Sequence, residues 1–237
     1  MSMAENIARI QEQMRAACRR AGRQPESVQL MAVSKMQPPE RIVEAYAAGL
    51  RLFGENRVQE FAEKQPVLAA GALFGEASFH LIGPLQSNKV ARAAQLFDAI
   101  DTIDSLRLAE RLNHAAAAAN KSLPPVLLEI KLSEETSKHG LPPESAELTA
   151  LLERASDWTH LQIRGLMTVP PYSENLEEVR PYFRRLRVLR DALAQRYPHV
   201  ALDQLSMGMS HDFSVAIEEG STCARIGTAI FGARPPL

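Results

Sequence analysis

From Val28 onward, short apolar or β-branched runs alternate with longer stretches in which apolar residues recur every three or four positions. That alternation predicts parallel strands joined by helices. Strands are predicted at VQLMAVS (28–34), 50–54, SFHLIG (78–83), FDAIDTI (97–103), PPVLLEIKL (124–132), LQIRGLMTVP (161–170), LDQLSMGM (202–209) and TCARIGTAIFG (222–232). PPVLLEIKL is the most continuous apolar run, as expected for a strand covered on both faces. The helices fall between them. Pro38-Pro39 opens one at 40–48 and Gly49 ends it, because proline suits a first turn and glycine a C-terminal cap. GENRVQEFAEKQ turns Val58, Phe61 and Ala62 inward, and LQSNKVARAAQLF follows the third strand. Further helices are predicted at 106–119, with Asp104 or Ser105 as N-cap, at 143–155, at 176–196 with Val179, Phe183, Leu186 and Leu193 at core spacing, and at 212–219.

The first 22 residues predict a separate amphipathic helix, with Ile7, Ile10, Met14 and Ala17 on one face and Gly22 terminating it. Eight strand-then-helix units behind that helix are the count of a (β/α)8 TIM-type barrel, and residues 1–237 are expected to form it as a single domain. An open doubly wound sheet is the alternative, but no glycine-rich dinucleotide fingerprint follows the first strand.

Composition narrows the class of partner. A net charge of -1 gives no global electrostatic attraction to nucleic acid or an anionic membrane. The arginines at 180, 184, 185, 187 and 190 surround an apolar stripe and predict a solvated helix face. Cys18 and Cys223 are too few for a disulfide framework and lack metal-ligand spacing, which predicts two buried hydrophobes, a reducing compartment and a cytoplasmic location. The N-terminus has no secretion signal and no apolar span.

In a barrel of this kind the residues just after each strand share one rim, where active sites collect. That rim holds Ser34-Lys35, Gly54-Glu55-Asn56, His80 to Gly83, Asp101 to Asp104, Lys131, Met167-Thr168, Ser206 to Ser210 and Arg225 to Thr228. Lys35 is a lysine at the mouth of a buried strand, where an amine can attack a carbonyl. Taken alone, a solvated strand end is the plainer reading of it.

SMGMS (206–210) supplies two hydroxyls and a glycine through which backbone amides can approach an anion, and RIGT (225–228) adds an arginine, a glycine and a hydroxyl. Each segment alone is equally read as a helix cap and turn glycines. Together, after strands seven and eight, they occupy the usual phosphate site of a barrel. The last strand pairs with the first, so a phosphorylated aldehyde held there would meet Lys35 and form an imine. Pyridoxal 5'-phosphate is such a molecule.

AVSKMQP, FGENRVQE, FHLIGPLQSNK, SKHGL, RGLMTVP, SMGMSHDF and STCARIGTAIFG resemble, in order and spacing, the YggS/PROSC group of pyridoxal-phosphate-binding proteins, the pyridoxal phosphate homeostasis proteins. The likeness covers nearly the whole chain. It implies a barrel like the N-terminal domain of alanine racemase, the fold type III of vitamin B6 enzymes, with Lys35 as the Schiff-base lysine. It further implies that Ser206, Gly208, Ser210, Gly227 and Thr228 hold the phosphate, that Arg225 approaches the pyridine nitrogen, and that Asn56, His80 and Met167 line the ring pocket. Met36 departs from the threonine common in the family, and His139 and Leu141 replace common neighbours of Ser137-Lys138.

An arginine at the ring nitrogen disfavours its protonation and weakens the electron sink that amino-acid enzymes use. A two-base racemase also needs a second acid/base on the opposite ring face, which in alanine racemase is a tyrosine from another domain. No such domain is expected here, and of Tyr46, Tyr172, Tyr182 and Tyr197 only Tyr172 falls near the rim. The expectation is a carrier that holds the cofactor, limits its free aldehyde and passes it to apoenzymes, monomeric and without a catalytic residue. The alternatives are a pyridoxal-phosphate-dependent racemase or lyase using a rim base, and a Schiff-base aldolase acting on a sugar phosphate. Lys138 is a second candidate lysine, set against a solvated loop position. His80 is read as a satisfied histidine rather than a metal ligand, and no metal is expected. Asp101 and Asp104 could pair, though Asp104 is better explained as a helix cap.

Overall fold

The computed structural model describes residues 2–70, 76–121, 123–133 and 139–232. Strands β1 (Gln29–Val33), β2 (Leu52–Glu55), β3 (Ser78–Leu81), β4 (Ala99–Ile103), β5 (Leu123–Glu129), β6 (Leu161–Met167), β7 (Gln204–Ser206) and β8 (Cys223–Ile226) pair in sequence order as a closed barrel. Every pairing is parallel, so each crossover has to return over the outside of the sheet. Closure is made by β1 on β8, with Met31 opposite Arg225 and Ala32 opposite Ile226.

Around the barrel run α2 (Pro39–Ala47), α3 (Val58–Ala70), α4 (Val90–Leu96), α5 (Leu106–Ala118), α6 (Ala146–Glu153), α7 (Leu176–Arg196), α8 (Phe213–Glu218) and the short α9 (Thr228–Phe231). Between β2, β3 and these helices, Phe61 stacks at 4.8 Å on both Phe79 and Phe97, and Phe79 lies 5.3 Å from Phe53. Ring pairs in this range add about 0.5–1.5 kcal/mol beyond their buried area. The register slips between Leu123 and Val126. Pro124 and Pro125 stand there and have no N–H for the ladder.

The N-terminal helix α1 (Met3–Arg20) forms as the periodicity predicts. Its capping box joins Ser2 and Glu5 reciprocally, and Ile7, Ile10, Met14 and Ala17 are buried. Full burial of each large apolar side chain contributes about 1.5–3 kcal/mol. The helix leans on α8 and α9, with Asn6 Nδ2 donating to the Ile230 carbonyl at 3.1 Å and Arg20 pairing with Glu218 at 2.7 Å.

Three expectations are corrected. TCARIGTAIFG is not one strand: β8 ends at Ile226, and after Gly227 the chain turns into α9. Ser105 rather than Asp104 caps α5, accepting from the Leu108 N–H at 3.3 Å. The arginine face of α7 is only partly solvated, because Arg180 pairs with Glu218 at 2.9 Å and Arg184 with Glu219 at 2.8 Å. Burial pushes the Glu219 carboxyl up, but the Arg184 and Arg180 guanidiniums outweigh it and hold the group below its ordinary value.

Cys18 and Cys223 are free and buried, and burial lifts the Cys223 thiol to about 12. Among the described residues no helix is long and apolar enough to cross a membrane, and no group of three or more histidines, cysteines or carboxylates could hold a metal.

Candidate functional site

At the C-terminal ends of the strands a cavity of about 480 Å³ opens. Its wall takes Val33 and Lys35 from the end of β1, Asn56 from β2, Ile82 and Gly83 from β3, Glu129 to Ser133 from β5, Met209 and Ser210 from β7, and Arg225, Gly227 and Thr228 from β8. Of the residues singled out in the sequence, the cavity therefore brings together Lys35, Asn56, Ser210, Arg225, Gly227 and Thr228. His80, Met167, Ser206 and Gly208 are not among its lining residues.

Each of those four has a definite place behind the wall. His80 Nδ1 lies 3.0 Å from Asp101 Oδ1, so Asp101 pairs with the histidine and not with Asp104. Met167 is 1 % exposed within β6. Ser206 accepts from Arg225 Nη1 at 2.7 Å. Gly208 has φ +96°, and a Cβ there would stand 2.7 Å from Ala216 Cβ and 2.9 Å from Phe213 Cα.

The two loops of the expected anion cradle are strapped into one unit. The Arg225 N–H donates to the Gly208 carbonyl at 2.9 Å. Ser210 Oγ accepts from the Gly227 N–H at 3.3 Å and the Ala229 N–H at 3.4 Å, so it does not cap α8. With both acceptor positions used, the Ser210 hydroxyl hydrogen remains to donate toward an anion. Asp212 instead accepts from the Met209 N–H at 2.6 Å and shapes the turn into α8.

Arg225 is 4 % exposed, and its two terminal nitrogens donate one hydrogen each to Ser206 Oγ and, at 2.8 Å, to the Thr168 carbonyl, leaving three of its five N–H donors. Burial pulls it below the ordinary arginine value, but a guanidinium keeps its charge across the physiological range. Glu129 was not anticipated as a wall residue. Burial, reinforced by Asp104, raises its carboxyl, and among the described lining residues it is one carboxylate against the cations Lys35, Lys131 and Arg225. A chain of net charge -1 thus presents a locally cationic cavity. An isolated bridge joins Ile130 to Leu141, and His139 stands at the cavity wall. Lys138 lies outside the described residues.

The turn carrying Lys35 is built differently. The Gln37 N–H donates to the Ser34 carbonyl at 3.1 Å, and Met36, third in that turn, has φ +61°. Behind it lies a buried cation. Lys64, 6 % exposed, places Nζ 2.8 Å from Glu55 Oε1, 2.7 Å from Glu60 Oε1 and 3.0 Å from the Ser34 carbonyl. Glu55 is fully buried, its Oε2 has no hydrogen-bond partner among the described residues, and desolvation raises its carboxyl despite Lys64. Lys64 was missed in the sequence, yet a signal was there: it falls between Phe61 and Leu68 on the buried face of α3.

The model of the alanine racemase N-terminal domain matches residues 6–235. A pyridoxal phosphate homeostasis protein of Aquifex aeolicus is 45% identical over 234 residues, covering 99% of both chains. The chain belongs to the pyridoxal phosphate homeostasis protein family. Among solved structures, that of PipY of Synechococcus elongatus PCC7942 with PLP bound is 41% identical, at a TM-score of 0.85 over 98% of this chain and 100% of that one. An alanine racemase of Clostridium difficile 630 matches at a TM-score of 0.73 and 13% identity over 99% of this chain and 57% of that one, a likeness of fold alone. The barrel expected for this family is the barrel seen here.

Proposed function

We propose that this protein binds pyridoxal 5'-phosphate as a Schiff base on Lys35 and serves as its intracellular holder, passing it to apoenzymes. The observation that carries the reading is the shared cavity: Lys35 and the Ser210–Gly227–Thr228 loops line one wall on either side of the paired β1 and β8. The donor set fits the molecule. An amine suits its aldehyde, hydroxyl and backbone donors suit its phosphate, and a cationic arginine suits an unprotonated ring nitrogen. When bound, the group supplies an aldehyde that condenses with the Lys35 amine and releases one water.

The residues of the chain do the rest. Ser210, Gly227 and Thr228 hold the phosphate, with Ser206 and Gly208 supporting them from behind the wall through Arg225. Arg225 faces the ring nitrogen. Asn56 flanks the ring, while His80 and Met167 support that side from within the barrel. PipY of S. elongatus, which binds PLP, has the same barrel. A carrier reading is favoured over an enzyme because Tyr172, the one tyrosine among the cavity's described lining residues, is 74 % exposed at its rim, with its ring 5.3 Å from that of His211. The buried free cysteines suit a reducing compartment such as the cytosol.

Absorption spectroscopy tests this. Protein mixed with pyridoxal 5'-phosphate should gain a visible imine band that Lys35→Ala abolishes, and a band unchanged in Lys35→Ala would overturn the assignment. Incubation with a panel of amino acids should show no sustained turnover and no α-proton exchange. Turnover would replace the carrier with a racemase or lyase.

A further inference from the structure

The peptide groups on either side of Lys35 are both held by one buried charged cluster. The Ser34 carbonyl, on its N-terminal side, accepts from Lys64 Nζ at 3.0 Å. The Met36 N–H, on its C-terminal side, donates to Glu60 Oε1 at 2.5 Å. Lys64 and Glu60 are themselves joined at 2.7 Å, and Glu55 anchors the pair from β2, accepting from Lys64 at 2.8 Å and from the Ser34 hydroxyl at 2.8 Å. The clamp therefore reaches from β2 and α3 across to the end of β1 and touches the backbone immediately before and after the lysine.

The turn needs holding. A positive φ at its third residue is the conformation that such turns reserve for glycine or asparagine. Met36 occupies it at φ +61°, a backbone state costing on the order of 1–3 kcal/mol and kept only where surrounding bonds over-determine it. The bond from its own N–H to Glu60 is such a constraint. A buried lysine with two carboxylates is also an expensive way to fill a helix–sheet contact, since apolar residues of the same volume would be as stable or more so. Its placement against the Lys35 peptide groups gives that expense a use.

We propose that Glu60 and Lys64 are positioning residues for Lys35: they fix the strained Ser34–Gln37 turn so that the lysine amine points into the cavity along one direction. This rests on the reading of Lys35 as the aldehyde-binding amine. Neither residue lines the cavity, and both act through the backbone of the turn.

Glu60 is half-buried at the surface of α3, so its replacement spares the deepest charges. Glu60→Ala should slow imine formation by roughly tenfold or more, as small misplacements of a reacting group do. In the ligand-free protein the same change should speed hydrogen exchange at the Met36 amide. Glu60→Gln, which keeps an oxygen for that amide, should retain most of the rate. Adding Met36→Gly to Glu60→Ala, which removes the strain the clamp resists, should restore it. A general loss of stability would not be repaired by that glycine.

The proposal is overturned if Glu60→Ala forms the imine at the wild-type rate, or if Met36→Gly fails to recover a slowed variant. If Glu60→Ala does not fold, Glu60→Asp, whose shorter side chain draws the oxygen back from that amide, decides it: faster Met36 exchange with slower imine formation supports the clamp, and both unchanged overturn it. A visible band that survives Lys35→Ala would instead overturn the assignment of Lys35. The Met36 exchange measurement still reports on the clamp in that event.

Discussion

Where β1 and β8 close the barrel, the two sides of the seam are anchored by different forces. On the β1 side the turn carrying Lys35 is tied down by ions, with Glu55, Glu60 and Lys64 packed behind it. On the β8 side the anion loops are tied down chiefly by hydroxyls and backbone groups, and the two charges there, Arg225 and Asp212, bind neutral partners rather than each other. Ser221 Oγ donates to the Met207 carbonyl at 2.7 Å, Thr222 Oγ1 accepts from the Leu205 N–H at 2.8 Å, and Ser210 receives the N–H groups of Gly227 and Ala229. Hydroxyls make up for the shortness of β7, which spans only Gln204–Ser206.

The difference has a chemical logic. Hydroxyls and backbone amides leave donors to offer an anion. A nucleophilic amine needs direction more than charge, and a stiff ionic clamp supplies direction at a cost in desolvation.

The largest way to break the contrast is Lys64→Met. It strands two carboxylates, one fully buried, and should cost about 3–5 kcal/mol in denaturant unfolding. A loss under about 1 kcal/mol would show that the ions are not what anchors the β1 side. Gly208→Ala attacks the other side. A side chain at φ +96°, with its Cβ 2.7 Å from Ala216 Cβ, should cost about 1–3 kcal/mol and weaken pyridoxal phosphate binding as well. Ser210→Ala removes one shared acceptor and one donor. It should lower affinity for the phosphate by about tenfold while changing stability by no more than about 1 kcal/mol, as paired titration and unfolding experiments would show.

The smallest effect is a pH dependence. Glu55 has its carboxyl raised by burial, so the folded state binds a proton more readily than the unfolded one. Its contribution to stability is then full at acid pH and is lost as pH rises from the ordinary glutamate value through the raised folded value. Unfolding followed across that window should show this decline in the wild type and a flatter profile in Glu55→Gln. Parallel profiles would mean that Glu55 does not titrate on its own.

The strand-and-helix alternation made the barrel legible, because each strand is a short apolar run and each helix repeats at its own period. Lys35 and the two glycine-containing loops were legible for the same reason, as they stand directly after strands. What escaped depends on distant partners. Lys64 looks like one more surface lysine until Glu55 and the Ser34 carbonyl are placed around it. The α7 arginines meet Glu218 and Glu219 more than 30 residues away along the chain. Residues 228–231 are too short a run for periodicity to separate helix from strand, and Gly227 alone had to signal the change.

The brace made by α1 also bears on how the molecule is born. Asn6 grips Ile230, 224 residues further along, and Arg20 grips Glu218 across 198. Ribosomes release Lys35 early and the phosphate loops last, and contacts of such long range close slowly. A nascent chain carrying Lys35 therefore lacks the loops proposed to hold the phosphate. Ligand capture should begin only at full length, and a nascent chain arrested after Asp203 should form no imine. The N-terminal helix cannot seat, nor the barrel close on β1, until the last strand and helix have been made.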